Sequence, residues 1–199
     1  MSITRRISIL FLIVAVCLSM NAQTTNDENK NIEHIVLGGG CFWCVEAMYE
    51  RVDGVLGSVS GYAGGDTKYP SYDEVVQGTT GHIEVVRISF DSSIISLSEV
   101  LDWFWRVHDP TSVDRQGADV GVQYRSAIFY EAEQQREIID QSREVAQGAL
   151  SKPIVTQIQP LDVFYKAEEY HQDYYHKHPY AGYCQLVIRP KLEKLSLDG

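Results

Sequence analysis

The densest chemistry in the chain is the run Gly38-Gly39-Gly40-Cys41-Phe42-Trp43-Cys44. Glycines let the backbone turn tightly and let a ligand approach it closely. A cysteine that follows such a turn and opens a helix meets the positive end of the helix dipole and free N–H groups, and both favour thiolate over thiol. Phe42 and Trp43 place large apolar surfaces beside that nucleophile. The plainer alternative is a small buried cysteine among core aromatics. As a pair, Cys41 and Cys44 can form a redox dithiol. A zinc site would need a second ligand pair, and only Cys184 and six histidines are available for it. Covalent haem attachment requires histidine after the second cysteine, where Val45 stands. The spacing of the glycines fits neither a dinucleotide fingerprint nor a P-loop.

The elements that must position these residues follow from periodicity. Residues 32–37 read as a strand that ends in the glycine turn. Residues 41–52 carry Phe42, Val45, Met48, Tyr49 and Val52 at helical spacing. A strand over 55–62 leads to a Gly-, Pro- and Tyr-rich loop over 64–72. Residues 82–90 alternate with period two, as a half-buried strand does. Ser96 with Glu99 forms a capping-box signature for a helix that runs to His108 and is stopped by Pro110. Residues 124–130 read as a strand, 131–150 as a long exposed helix with Gly148 near its end, 154–161 as a strand, and 167–177 as a last helix. His108-Asp109-Pro110 reads as a helix terminus. His171, His176 and His178 read as packing and surface polarity. The order β-α-β-β-α-β-α-β-α predicts an α/β (α+β) two-layer sandwich, a mixed sheet covered by helices with a ferredoxin-like core.

The chain has 199 residues, 44% of them hydrophobic and 22% charged, which suits one globular catalytic domain over residues 32–199. A formal net charge of -10 argues against nucleic acid, which rewards a basic footprint. A monomer is expected. Residues 1–22 differ in character: Arg5 and Arg6 precede an apolar run over 7–20, too short for a comfortable membrane span and suited to a secretory signal. Cleavage after Ala22 and a flexible polar leader over 23–31 are expected, giving a periplasmic or secreted protein. Cys17 offers a lipoprotein alternative, which bulky Val16 disfavours. Loss of Cys17 leaves Cys41, Cys44 and Cys184, an odd number that points to chemistry more than to a disulfide framework.

Taken together, GGGCFWCVEA, VSGYAGG, YPSYDEV, TGHIEVVRI, FWRVHDPT, DRQGADVGVQYRSAIFY, AEEYHQDYY and GYC resemble the methionine sulfoxide reductase A family over nearly all of residues 35–192. The resemblance implies that Cys41 is the catalytic cysteine and that Phe42 and Trp43 form an apolar pocket for the substrate methyl group. It makes Glu84 the carboxyl group that bonds the sulfoxide oxygen and supplies a proton, Tyr72 and Tyr124 hydroxyls that orient this oxygen, and Asp119 a further acid of the site. It also places a recycling cysteine at Cys184, although many relatives carry glycine where this chain has Cys44.

A sulfoxide has an electrophilic sulfur and a basic oxygen, so its reduction needs a thiolate aimed at sulfur and donors for the charge that grows on oxygen. Glu84 serves only if protonated, which apolar surroundings favour. The expected course is attack by Cys41, release of methionine, a sulfenic acid, and an intramolecular disulfide reduced by thioredoxin or a similar dithiol. No metal or bound cofactor is required. The implied partners are oxidised proteins and peptides that contain methionine sulfoxide. For the resolving thiol, a flexible Cys184 in a polar tail is favoured over Cys44, since an i, i+3 pair within a regular helix must still meet strict disulfide geometry.

Overall fold

Side-chain alternation decides which face of the sheet each strand residue serves. In a computed structural model that describes residues 31–197, β1 (Ile32–Gly38) sends Ile35 and Leu37 to one face and Val36 to the other. The signal, lipoprotein and cleavage readings for residues 1–22, and all but the last residue of the expected leader, lie outside the described residues. After β1 come α1 (Phe42–Tyr49), β2 (Val55–Ala63), α2 (Tyr72–Val76), β3 (Ile83–Asp91), α3 (Leu97–Val107), β4 (Arg115–Gln116), β5 (Asp119–Val120), β6 (Ala127–Tyr130), α4 (Glu133–Gly148), β7 (Gln157–Pro160), β8 (Phe164–Lys166), α5 (Tyr174–Lys177) and α6 (Arg189–Leu195).

Six strands form one mixed sheet in the order β7-β6-β1-β3-β2-β8. The β6–β7 pair is parallel, while β1–β6, β2–β3 and β2–β8 are antiparallel. The larger core packs the helices on one face, with Leu37, Val45, Met48, Val86, Ile88, Phe90, Leu101 and Phe104 buried there. Val36, Ala63, Ile83, Val85, Ala127 and Phe129 fill a smaller core on the other. This is the expected α+β architecture of helices on a mixed sheet.

The long helices follow their sequence signals. Ser96 caps α3, accepting from the Glu99 amide at 3.3 Å while the Glu99 carboxylate accepts from the Ser96 amide at 2.9 Å. Four expectations change. The first three residues read into the strand over 124–130 fall short of it: Tyr124 ends a 3-10 turn, Val122–Tyr124, and pairing begins at Ala127. The loop over 64–72 ends on the unforeseen α2, opened by Ser71, which donates to the Glu74 carboxylate through both its amide and its hydroxyl. The helix over 167–177 is replaced by β8, one 3-10 turn over Glu169–His171 and the single turn α5, because strand pairing with β2 claims Phe164–Lys166 and Asp173 sits at φ 56°. Lastly, the polar tail is folded: Cys184–Ile188 is a π-helical segment that runs into α6, and Ile188, Leu192 and Leu195 are buried at helical spacing.

Candidate active site

Gly40, at φ +92°, turns the chain out of β1 so that Cys41 stands at the N-cap of α1 with non-helical backbone. The dipole reading alone would make Cys41 a thiolate. The structure reverses that expectation: Cys41 is only 7% exposed, and burial pushes its thiol well above the ordinary value, helped by a hydrogen bond with Cys44 and the charge of Glu84. Cys44 moves the other way, to about 7, chiefly through that hydrogen bond, with burial opposing and Lys191 nearby assisting. In the empty site the shared proton therefore rests on Cys41. Cys44 also lies 3.8 Å from the Tyr183 hydroxyl.

Glu84 reaches the same place from β3. Period two puts it on the sheet face of Val86, Ile88 and Phe90, under the start of α1. It is 1% exposed, and its Oε2 accepts the Phe42 backbone N–H at 3.0 Å. Burial raises its carboxyl group to about 8, the Phe42 hydrogen bond opposing and Asp119 and Cys44 adding to the rise. A carboxylic acid that accepts through one oxygen keeps its O–H free to donate. Tyr72, the first residue of α2, and Tyr124 are half-buried and feel the charges of both Glu84 and Cys41, so the three elements converge on one spot. Burial and those charges push Tyr72 up to about 12 and Tyr124 up as well, keeping both hydroxyls protonated as donors. Asp119, on β5, accepts from Tyr183 at 2.7 Å.

The aromatic wall is built from α1 and the segment before α5. Trp43 stacks on Tyr174 at 3.7 Å between centroids and 5° between planes, and Tyr183 meets it edge-on at 5.8 Å. Phe42 is 1% exposed and packs against Tyr62 and His171. All nine residues singled out in the sequence thus fall around α1, but Cys184 differs in kind: it is fully buried in the core, not in a mobile tail. Tyr183, Glu168 and His171 were missed. Glu168 accepts from the Tyr62 hydroxyl at 2.7 Å and the Tyr72 amide at 2.8 Å, fixing the start of α2. Tyr183 could have been found from its place beside Cys184 in GYC; Glu168 and His171 share the motif AEEYHQDYY. Among the described residues no group of three or more His, Cys, Asp or Glu side chains is placed to hold a metal.

The family model described as peptide methionine sulfoxide reductase matches residues 33–198. The chain belongs to that family. It is 52% identical over 163 residues to peptide methionine sulfoxide reductase MsrA of Saccharolobus solfataricus, an alignment spanning 82% of this chain and 92% of the relative. Among peptide methionine sulfoxide reductases of known structure, it is similar to reduced Mxr1 of Saccharomyces cerevisiae, with a TM-score of 0.75 and 35% identity over 81% of this chain and 94% of the other. It is also similar to Mxr1 crystallised in complex with Trx2, with a TM-score of 0.54 and 29% identity over 76% and 91% of the two chains. Membership makes the chain an oxidoreductase.

Proposed function

We propose that the chain reduces methionine S-sulfoxide, free or within oxidised proteins and peptides, to methionine, with Cys41 as nucleophile and Glu84 as acid. The observation that carries this reading is the buried, protonated Glu84 held to the backbone of Phe42, the residue that follows Cys41. Cys41 passes its proton to Cys44 and attacks the sulfoxide sulfur. Glu84 protonates the oxygen, with Tyr72 and Tyr124 donating to it. The S–O bond breaks as hydroxyl transfers to Cys41, so the products are the thioether and a sulfenic acid, and the proton on Cys44 returns to Glu84. Sulfur of the substrate is reduced and Cys41 is oxidised by the same two electrons.

For the next step, the hydrogen bond between Cys41 and Cys44 favours Cys44 as partner in the first disulfide. Both grounds for preferring Cys184 have gone: its segment is packed in the core, and Cys41 stands outside the helix, so bridging the pair need not bend α1. Attack of Cys44 on the sulfenic sulfur forms the S–S bond and releases water. A thioredoxin-like dithiol then reduces that bond, a reading supported by the Trx2 complex of the yeast relative.

The test is single-turnover reduction of a blocked methionine sulfoxide peptide in both epimers, followed by peptide mapping of the disulfide. S-epimer reduction that is lost in Cys41→Ser with the fold retained supports the assignment. A folded Cys41→Ser that keeps most of the activity sinks it. A Cys41–Cys44 bond that still forms in Cys184→Ser supports Cys44, whereas a Cys41–Cys184 bond with turnover lost in Cys184→Ser returns the role to Cys184.

A further inference from the structure

His171 is 1% exposed, and neither of its ring nitrogens has a hydrogen-bond partner among the described residues. Buried polar groups are almost always paired, so an imidazole with two unmatched nitrogens needs a reason. Its surroundings supply one. Ring centroids of Tyr72, Phe42 and Trp43 lie 4.4, 5.0 and 5.6 Å away, so His171 stands against the residues read as the methyl pocket and as an oxygen donor. The Trp43 indole N–H is also buried without a partner. Two adjacent rings therefore present unmet hydrogen-bonding capacity beside the reacting centre.

We propose that His171 and the Trp43 indole form a subsite for the peptide group next to the substrate side chain, so that the site takes methionine sulfoxide within a polypeptide in preference to its non-peptide analogues. This rests on the proposed sulfoxide reduction and names the substrate class. A neutral imidazole offers one donor and one acceptor, and a peptide unit offers a C=O and an N–H to match them. Burial holds His171 below its ordinary value, with Glu168 opposing, so the neutral form is the one present. The sulfoxide oxygen is only an acceptor and is already served by Glu84, Tyr72 and Tyr124, so it does not call for this pair. Position agrees: Glu84 lies on the inner side, bonded to the Phe42 amide, whereas His171 adjoins Tyr170, which is 59% exposed and whose ring sits 4.2 Å from the imidazole. Tyr170 is the side chain that turns aside when the substrate backbone arrives.

The test compares kcat/KM for the S epimers of N-acetyl-methionine sulfoxide N-methylamide and the corresponding methyl ester, which lacks the N–H and has a weaker carbonyl acceptor. Reading the amide-to-ester ratio within each protein cancels changes common to both substrates. The expected ratio is at least about tenfold in the native protein, close to one in His171→Phe, and intermediate in His171→Gln, which keeps a donor and an acceptor. A native ratio near one, as buried water satisfying the imidazole would give, overturns the subsite even if the Phe variant fails to fold. So does a ratio unchanged in a folded His171→Phe. If the native protein reduces neither substrate, the proposed function itself fails and the subsite with it; reduction of both at equal efficiency removes the subsite alone.

Discussion

Glu84 is the residue on which burial and chemistry meet most directly. Its carboxyl group is raised to about 8 because the core strips it of water, and the proposed acid role needs that protonated form. The sign follows: sulfoxide reduction should be full below that value and fall as pH rises through about 8, as the donor is lost. Glu84→Gln keeps a hydrogen-bond donor but no acidity, so the single-turnover rate near pH 7 should drop by ~10² to 10⁴, with the descending limb near 8 abolished. A loss under tenfold with that limb intact would remove Glu84 from the acid role. The residue itself was legible only through the family resemblance. Alternation marked 82–90 as a strand, yet period two leaves open which face meets the helices, and that choice turns a surface glutamate into a buried acid. Cys41 was legible in place but not in state. Its position at a helix start is local information, whereas the burial that keeps it a thiol comes from packing across the sheet.

At the scale of elements, the site depends on how sharply the chain leaves β1. A side chain at Gly40 would have to adopt φ +92° and would place its Cβ 2.7 Å from Cβ and Cγ of Gln116. Gln116 cannot easily yield, since it accepts from the Asp109 amide and donates to the Asp109 carbonyl. Gly40→Ala should therefore cost on the order of 1–3 kcal/mol, seen as a lower urea midpoint with an unchanged slope, and should slow turnover by displacing Cys41. Gly148, at the end of α4 with open space around it, gives the opposite sign: Gly148→Ala should be neutral or stabilise by up to ~1 kcal/mol. Equal losses at both positions would show that the glycine turn has no special demand. The same scale separates what could be read from what could not. The α3 cap, the period-two β3 and the long α4 carry their signals within a few residues. The one-turn α5 and three-residue β8 do not, because pairing with β2 and a left-handed Asp173 decide them. α2 and α6 did leave traces, Ser71 with Glu74 and the spacing of Ile188, Leu192 and Leu195, but each is too short to stand out from loop composition.

At the scale of the whole molecule, the open question is the compartment in which the three described cysteines work. Cys41, Cys44 and Cys184 are all free and all buried. Burial protects them from chance oxidation, because thiol reactivity follows thiolate character and access. That protection matters most where the surroundings are oxidising, and we propose that the chain is exported there, on the strength of Arg5 and Arg6 ahead of the apolar run over 7–20. The protein isolated from its native host should then begin at Gln23 or a close neighbour by intact-mass measurement and should fractionate outside the cytosol. A lipid-modified Cys17 would replace secretion with anchoring while keeping export. Recovery of a chain that starts at Met1 from the soluble cytosol would end the proposal. The buried thiols would then be explained by catalysis alone, with Cys44 holding the proton of Cys41 in a compartment that keeps thiols reduced without help.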